Sequence, residues 1–111
     1  MIVHLDEDIF ENVKHGTKNV EVRVNDEKRR KLKVGDKITF LKRPNDIESI
    51  DAIVEDLKYY TNFNELVEDY KIEELYKEGF SKEEFLTLLK RFYSDEEINK
   101  YGTVAIKFKI M

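Results

Sequence analysis

Apolar and polar residues alternate most cleanly where Val20, Val22 and Val24 are interleaved with Glu21, Arg23 and Asn25. This is the period-two pattern of a strand with one face on a core and the other in water. The period returns near the end of the sequence, with Val104, Ile106, Phe108 and Ile110 set against Thr103, Ala105, Lys107 and Lys109. Shorter apolar runs predict strands at residues 1–5, at 37–41 after the turn Val34-Gly35-Asp36, and at 50–60 after the turn Arg43-Pro44-Asn45-Asp46.

Helical spacing separates these strands. Asp6 is placed as an N-cap, with Leu5 and Phe10 as a hydrophobic staple and Ile9, Phe10 and Val13 on one face, and Gly16 stops the helix. Residues 26–31 predict one or two helical turns. Asn62 with Glu65, Ser81 with Glu84 and Ser94 with Glu97 have capping-box spacing, so three helices are expected between residue 62 and Gly102. Phe85, Leu88, Leu89 and Phe92 follow i, i+3, i+4, i+7 spacing and read as core packed on the sheet. The sum is an α+β fold of about five strands, with helices inserted before the last. Strands this short need their edges covered, which predicts a small, partly open β-barrel with helices packed on one side. A chain of 111 residues without repeat or linker reads as a single domain, 1–111.

Composition narrows the chemistry. With no cysteine, disulfides and thiolate metal sites are excluded, which fits a reducing cytoplasmic setting. No apolar run approaches the ~20 residues of a membrane span. The N-terminus lacks a basic region followed by an apolar stretch, so the chain is expected to be complete and unprocessed. Two separated histidines do not make a zinc site, and Asp6-Glu7-Asp8 lacks calcium-loop spacing. No Walker or Rossmann glycine loop is present. Neither metal nor cofactor is expected.

The net charge of −4 is unevenly distributed. Residues 14–43 hold 11 Lys and Arg against 4 Asp and Glu, whereas the rest of the chain is acidic. Such segregation creates one positive pole, suited to an anionic partner. Within it, the run Lys28-Arg29-Arg30-Lys31 on its own reads as a solvated face. The segment Gly16-Thr17-Lys18-Asn19-Val20-Glu21-Val22-Arg23 carries more specific chemistry. Gly16 frees the backbone for close approach by a ligand. Glu21 and Arg23 share a strand face, while Lys18 has the opposite parity from Glu21 and meets it only if the chain turns near residues 17–19. Lys18 and Arg23 then hold a phosphate or carboxylate, with Glu21 orienting one of them or reading a base. The plainer alternative is a surface ion pair between Glu21 and Arg23. Arg43 and Lys42 extend a phosphate track. Of Tyr59 and Tyr60, one faces outward by parity and could stack on a base; Tyr60 is the one assigned to the site.

The pattern Gly-x-Lys-x-x-Glu-x-Arg at residues 16–23 resembles the signature of the ASCH domains (activating-signal-cointegrator homology), a branch of the PUA-like superfamily. Phe10-Glu11-Asn12-Val13-Lys14, Lys33-Val34-Gly35-Asp36-Lys37-Ile38-Thr39-Phe40 and Tyr101-Gly102-Thr103-Val104-Ala105-Ile106 resemble the family's first helix, its Gly-Asp turn and strand, and its last strand. The resemblance implies a PUA-like barrel with a cleft beside the signature and an RNA or nucleotide-like partner. Some relatives imply hydrolysis instead, as amidohydrolases of N4-acetylcytidine or as ribonucleases. The amidohydrolases use a lysine, a threonine and a glutamate. Lys18 matches the lysine and Glu78 is placed at the glutamate, but Glu21 stands at the threonine position and Thr17 is out of register. A carboxylate does not replace a hydroxyl nucleophile in one pathway. Glu21 and Glu78 beside Lys18 would have to activate water by another route, and Glu78 taken alone is a solvated helix-end charge. His15, beside the signature, reads as a helix-end residue and His4 as a structural one. A third reading is a protein-interaction adaptor using the acidic helical half, with no protein partner identified.

Overall fold

The computed structural model describes residues 1–111. Strand β1 (Ile2–Leu5) leads into helix α1 (Glu7–Lys14), strand β2 (Val20–Val24), a 3-10 turn at Arg29–Lys31, strand β3 (Lys37–Lys42) and the long strand β4 (Ser49–Tyr60). Helices α2 (Phe63–Glu68), α3 (Ile72–Leu75), α4 (Lys82–Phe92) and α5 (Asp95–Tyr101) precede strand β5 (Thr103–Ile110). The strands form one five-stranded half-barrel in the order β1-β3-β4-β5-β2, with β1 parallel to β3 and the other pairs antiparallel. A bulge between Val54 and Asp56 bends β4, as an extra residue in one strand does.

The register of β2 on β5 decides what the signature faces. Glu21 lies opposite Ile106 and Arg23 opposite Val104, while Val22 lies opposite Ala105. Val104 and Ile106 belong to the core on the concave side of the sheet, with Val3, Phe10, Val13, Ile38, Phe40 and Phe108. Phe40 and Phe108 meet there with ring centroids 4.7 Å apart. Val20, Val22, Val24 and Ala105 belong to a second core, against Phe63, Leu66, Val67, Leu75, Phe85, Leu89 and Ile98 of the helices. Each fully buried side chain of this kind contributes roughly 1.5–3 kcal/mol, so helices on one face and α1 on the other hold the sheet between two apolar layers.

Several expectations change here. β2 is not half-exposed: four of its five residues are buried and Arg23 is half-buried, because helices cover the valine face and the barrel interior covers the Glu21 face. The Ser81–Glu84 and Ser94–Glu97 capping boxes form. Asn62 accepts from the Glu65 amide at 2.9 Å. Asp6 sits at the N-cap of α1 without a side-chain cap bond, and Asp8 instead accepts from the Ile9 amide at 2.9 Å. The one-turn helix α3 was not expected. Phe92 is not core. It is 70% exposed, at the last residue of α4.

Gly102 links α5 to β5 at φ +69°, where an added Cβ would stand 2.8 Å from the Tyr60 carbonyl oxygen. Only glycine fits that junction. No helix is long and apolar enough to cross a membrane, and no group of three or more His, Cys, Asp or Glu side chains is placed to hold a metal.

Candidate functional site

The turn after α1 aims the signature inward. The amides of Thr17 and Lys18 both donate to the Asn12 carbonyl, at 2.9 and 3.1 Å, and Gly16 takes φ +82°. The chain therefore reverses over residues 16–18, and the Lys18 side chain meets the face that carries Glu21 and Arg23. The Lys18 ammonium lies 3.2 Å from Glu21 Oε1 and donates to the carbonyls of Val20 at 2.6 Å and Leu75 at 2.7 Å. An ammonium has three N–H groups, and these partners use all three. Glu21 Oε2 accepts from Arg23 Nε and Nη2, each at 3.0 Å. Glu21 thus joins a buried lysine, 3% exposed, to a half-buried arginine that also neighbours the Tyr93 hydroxyl.

Burial pulls the Lys18 pKa below the usual lysine value despite Glu21. Burial pushes the other way on Glu21, yet Lys18 and Arg23 together hold its carboxyl below the usual carboxylate value. Burial opposes the charge of Arg23, and Glu21 outweighs it and raises the pKa. Three ionised groups in a row leave one net positive charge, carried at the open end by Arg23.

That end faces a cleft of about 470 Å³ at the open seam of the half-barrel. One wall is polar, from Lys18, Glu21 and Arg23 of the signature and Arg43 beyond β3. The opposite wall is the apolar face of α4, with Phe85, Leu88, Leu89 and Phe92, followed by Tyr93. Tyr93 packs tilted against Phe63, with ring centroids 5.7 Å apart. Burial, above all, raises its pKa, while the nearby Arg23 acts to lower it. His4, Leu5 and Asp6 form the floor from the β1 side. His4 Nδ1 lies 3.1 Å from Asp46 Oδ2, and Arg43 lies 3.8 Å from Asp6.

The candidates from the sequence do not all gather here. Lys18, Glu21, Arg23 and Arg43 line the cleft. Gly16 lines a neighbouring groove with Asn19, Lys107 and Lys109. Glu78 is exposed and outside the cleft lining. Tyr60 is also outside it: its hydroxyl donates to Asp69 at 2.6 Å, and burial together with that bond raises its pKa. Tyr59 is the outward-facing member of that pair. His4, read as structural, lies on the cleft floor, whereas His15 sits in the open beside Glu11. The Leu75 carbonyl, Phe92 and Tyr93 were missed. Only Phe92 left a signal, since it is the last residue of the α4 apolar stripe.

The family model for the ASCH domain matches residues 3–111. The chain belongs to the ASCH domain family. Among solved structures, this ASCH domain is similar to hypothetical protein PH0355, at 31% identity over 99% of this chain and 97% of that one, with a TM-score of 0.81. It is similar to protein PF0455 from Pyrococcus furiosus at 29% identity, covering 100% and 98% of the two chains, with a TM-score of 0.73. The fold is shared with ASCH from Zymomonas mobilis at 16% identity, over 97% of this chain and 65% of that one, with a TM-score of 0.56. No curated protein matches the sequence.

Proposed function

We propose that this ASCH domain binds RNA or a nucleotide-like ligand in the cleft between the signature and α4. The observation that carries the reading is the pairing of two unlike parts of the lining, one with the half-buried guanidinium of Arg23 and the other ending in an exposed phenyl ring on Phe92. A nucleotide has the same two sides. Its base is a flat, mostly apolar plate that stacks on aromatic rings, and its phosphate pairs with arginine. Arg43 supplies a second cation across the opening. Lys18 serves as an anchor for Glu21 rather than as a ligand contact, because its three donors are occupied.

The arrangement supports binding over hydrolysis. A route through Lys18, Glu21 and Glu78 needs the three to converge, and Glu78 stands away from the cleft. An adaptor role draws little support either. Between residues 65 and 97, Phe92 is the one large apolar side chain that is strongly exposed, and it belongs to the cleft. The test is titration of a labelled single-stranded RNA, with nucleosides followed by NMR shifts. Arg23→Ala and Phe92→Ala are each expected to weaken binding about tenfold, in line with ~1–3 kcal/mol for a stacked base or a charge-assisted bond. Affinity should fall with rising salt. Unchanged binding in both variants, or hydrolysis of N4-acetylcytidine that Glu78→Gln abolishes, would overturn the reading.

A further inference from the structure

Strand β2 lies at one edge of the sheet, with β5 as its single strand neighbour. The register fixes which of its main-chain groups that neighbour uses. The Asn25 amide donates to the Gly102 carbonyl and the Phe108 amide to the Asn19 carbonyl, each at 3.0 Å. In an antiparallel pair, residues that exchange such bonds alternate with residues that do not. Residues 19, 21, 23 and 25 therefore bond to β5, while Val20, Val22 and Val24 turn their main-chain groups to the open side. The Val20 carbonyl bears this out, since it accepts from the Lys18 ammonium at 2.6 Å. Val22 has no such partner: neither its N–H nor its C=O is hydrogen-bonded within the chain.

The cleft runs along this same edge. Its lining takes Glu21 and Arg23 from one face of β2, and Phe85 and Leu89, which pack with Val22 on the other face. A cavity that touches both faces of an edge strand passes over the rim of that strand, and Val22 itself belongs to the lining. The main-chain groups of a residue only 6% exposed are nearly always paired, with water if with nothing else. At Val22 the partner comes from the cleft. Val24 is outside the lining and the Val20 carbonyl is taken, so one residue presents a donor and an acceptor side by side. A peptide added to a sheet edge needs a ladder of several residues. A single residue matches the edge of a single ring.

We propose that the main chain of Val22 reads the pairing edge of the base held in the cleft, its N–H donating to a ring nitrogen or carbonyl oxygen and its C=O accepting from an N–H of the base. The inference rests on the cleft reading and adds which atoms meet the ligand. Each of the four bases offers an acceptor beside a donor on that edge, so Val22 accepts an unmodified base of any kind and rejects one whose pairing-edge donor is replaced by methyl. The carbonyl of Val22 is then left without a donor inside the filled cleft, which is the costly case for a buried polar group.

The experiment titrates uridine, guanosine, cytidine and adenosine into isotope-labelled protein, against 3-methyluridine, 1-methylguanosine, N4,N4-dimethylcytidine and N6,N6-dimethyladenosine. Each methylated form loses the pairing-edge donor without gaining charge. In the free protein the Val22 amide should exchange with solvent faster than the Glu21 and Arg23 amides of the ladder. A bound nucleoside should move the Val22 amide proton downfield and slow its exchange, and the matching methylated form should bind about tenfold more weakly. Arg23→Ala should weaken both members of a pair and leave their ratio as it is in the parent protein. A ratio lost in Arg23→Ala would give the selection to the guanidinium and overturn the proposal. So would a methylated form that binds as tightly as its parent nucleoside with no response at the Val22 amide, and the cleft reading would stand. If no nucleoside and no RNA binds, both readings go.

Discussion

Replacing Lys18 by methionine keeps the length of the side chain and deletes its charge. The ammonium satisfies the carbonyls of Val20 and Leu75, at 2.6 and 2.7 Å, and neutralises Glu21 at 3.2 Å. Methionine leaves two buried carbonyls without a donor and a buried carboxylate with Arg23 as its remaining partner. Breaking one side of a buried ion pair typically costs about 3–5 kcal/mol. That is a large share of the ~5–15 kcal/mol that holds a domain folded. Chemical denaturation in urea, followed by circular dichroism, reads the loss as a fall of roughly 2 M in the midpoint, given slopes of ~1–3 kcal/mol per M. The double variant Lys18→Met with Glu21→Gln removes both charges, and it should be destabilised by less than the sum of the single variants. The coupling expected between such neighbours is about 0.5–3 kcal/mol. A Lys18→Met protein within about 1 kcal/mol of its parent, at equal slope, would show that the ammonium is not the pin that holds the signature to α3. Binding assays on Lys18 variants report the fold as much as the ligand, so Arg23 and Phe92 are the residues on which binding should be judged.

Glu21 also predicts an acid limb. Its folded pKa lies below the usual value, so between that lower value and ~4.5 the unfolded chain binds the extra proton and stability falls as pH drops. Asp8, Glu48 and Asp69 are lowered as well, so the decisive measurement is a difference: Glu21→Gln should lose stability less steeply than the parent below about pH 4.5, and parallel curves would refute the assignment. Two glycines make a matched pair. Gly16→Ala meets open space and pays only for its positive φ, about 1–2 kcal/mol, whereas Gly102→Ala also presses on the Tyr60 carbonyl and should cost clearly more by thermal unfolding; equal losses would count against the close contact.

Much of the secondary structure was legible because strand and helix periods are local. The valines of β2, the alternation of β5 and the Ser81 and Ser94 capping boxes are each written within about ten residues, and each formed. The ASCH signature was legible for the same reason, as eight consecutive residues. Helix α3 was not, because a single turn has no periodicity to read.

The sequence by itself determined which side chains of β2 share a face and that Lys18 joins them only if the chain turns first, since both follow from backbone geometry. Only the tertiary structure decided what that face meets. The acceptor that completes Lys18 belongs to Leu75, 57 residues away in the chain, and it arrives on the element that local reasoning missed. Phe92 obeys the same helical spacing as Phe85 and Leu89, yet those are buried and it is exposed, because spacing sets the direction of a side chain while burial depends on what the rest of the fold brings against it. Charge followed the same division. The run of lysines and arginines was plain in the sequence, but which of them kept their charge free for a ligand depended on carboxylates brought in from α1, β4 and the loops between.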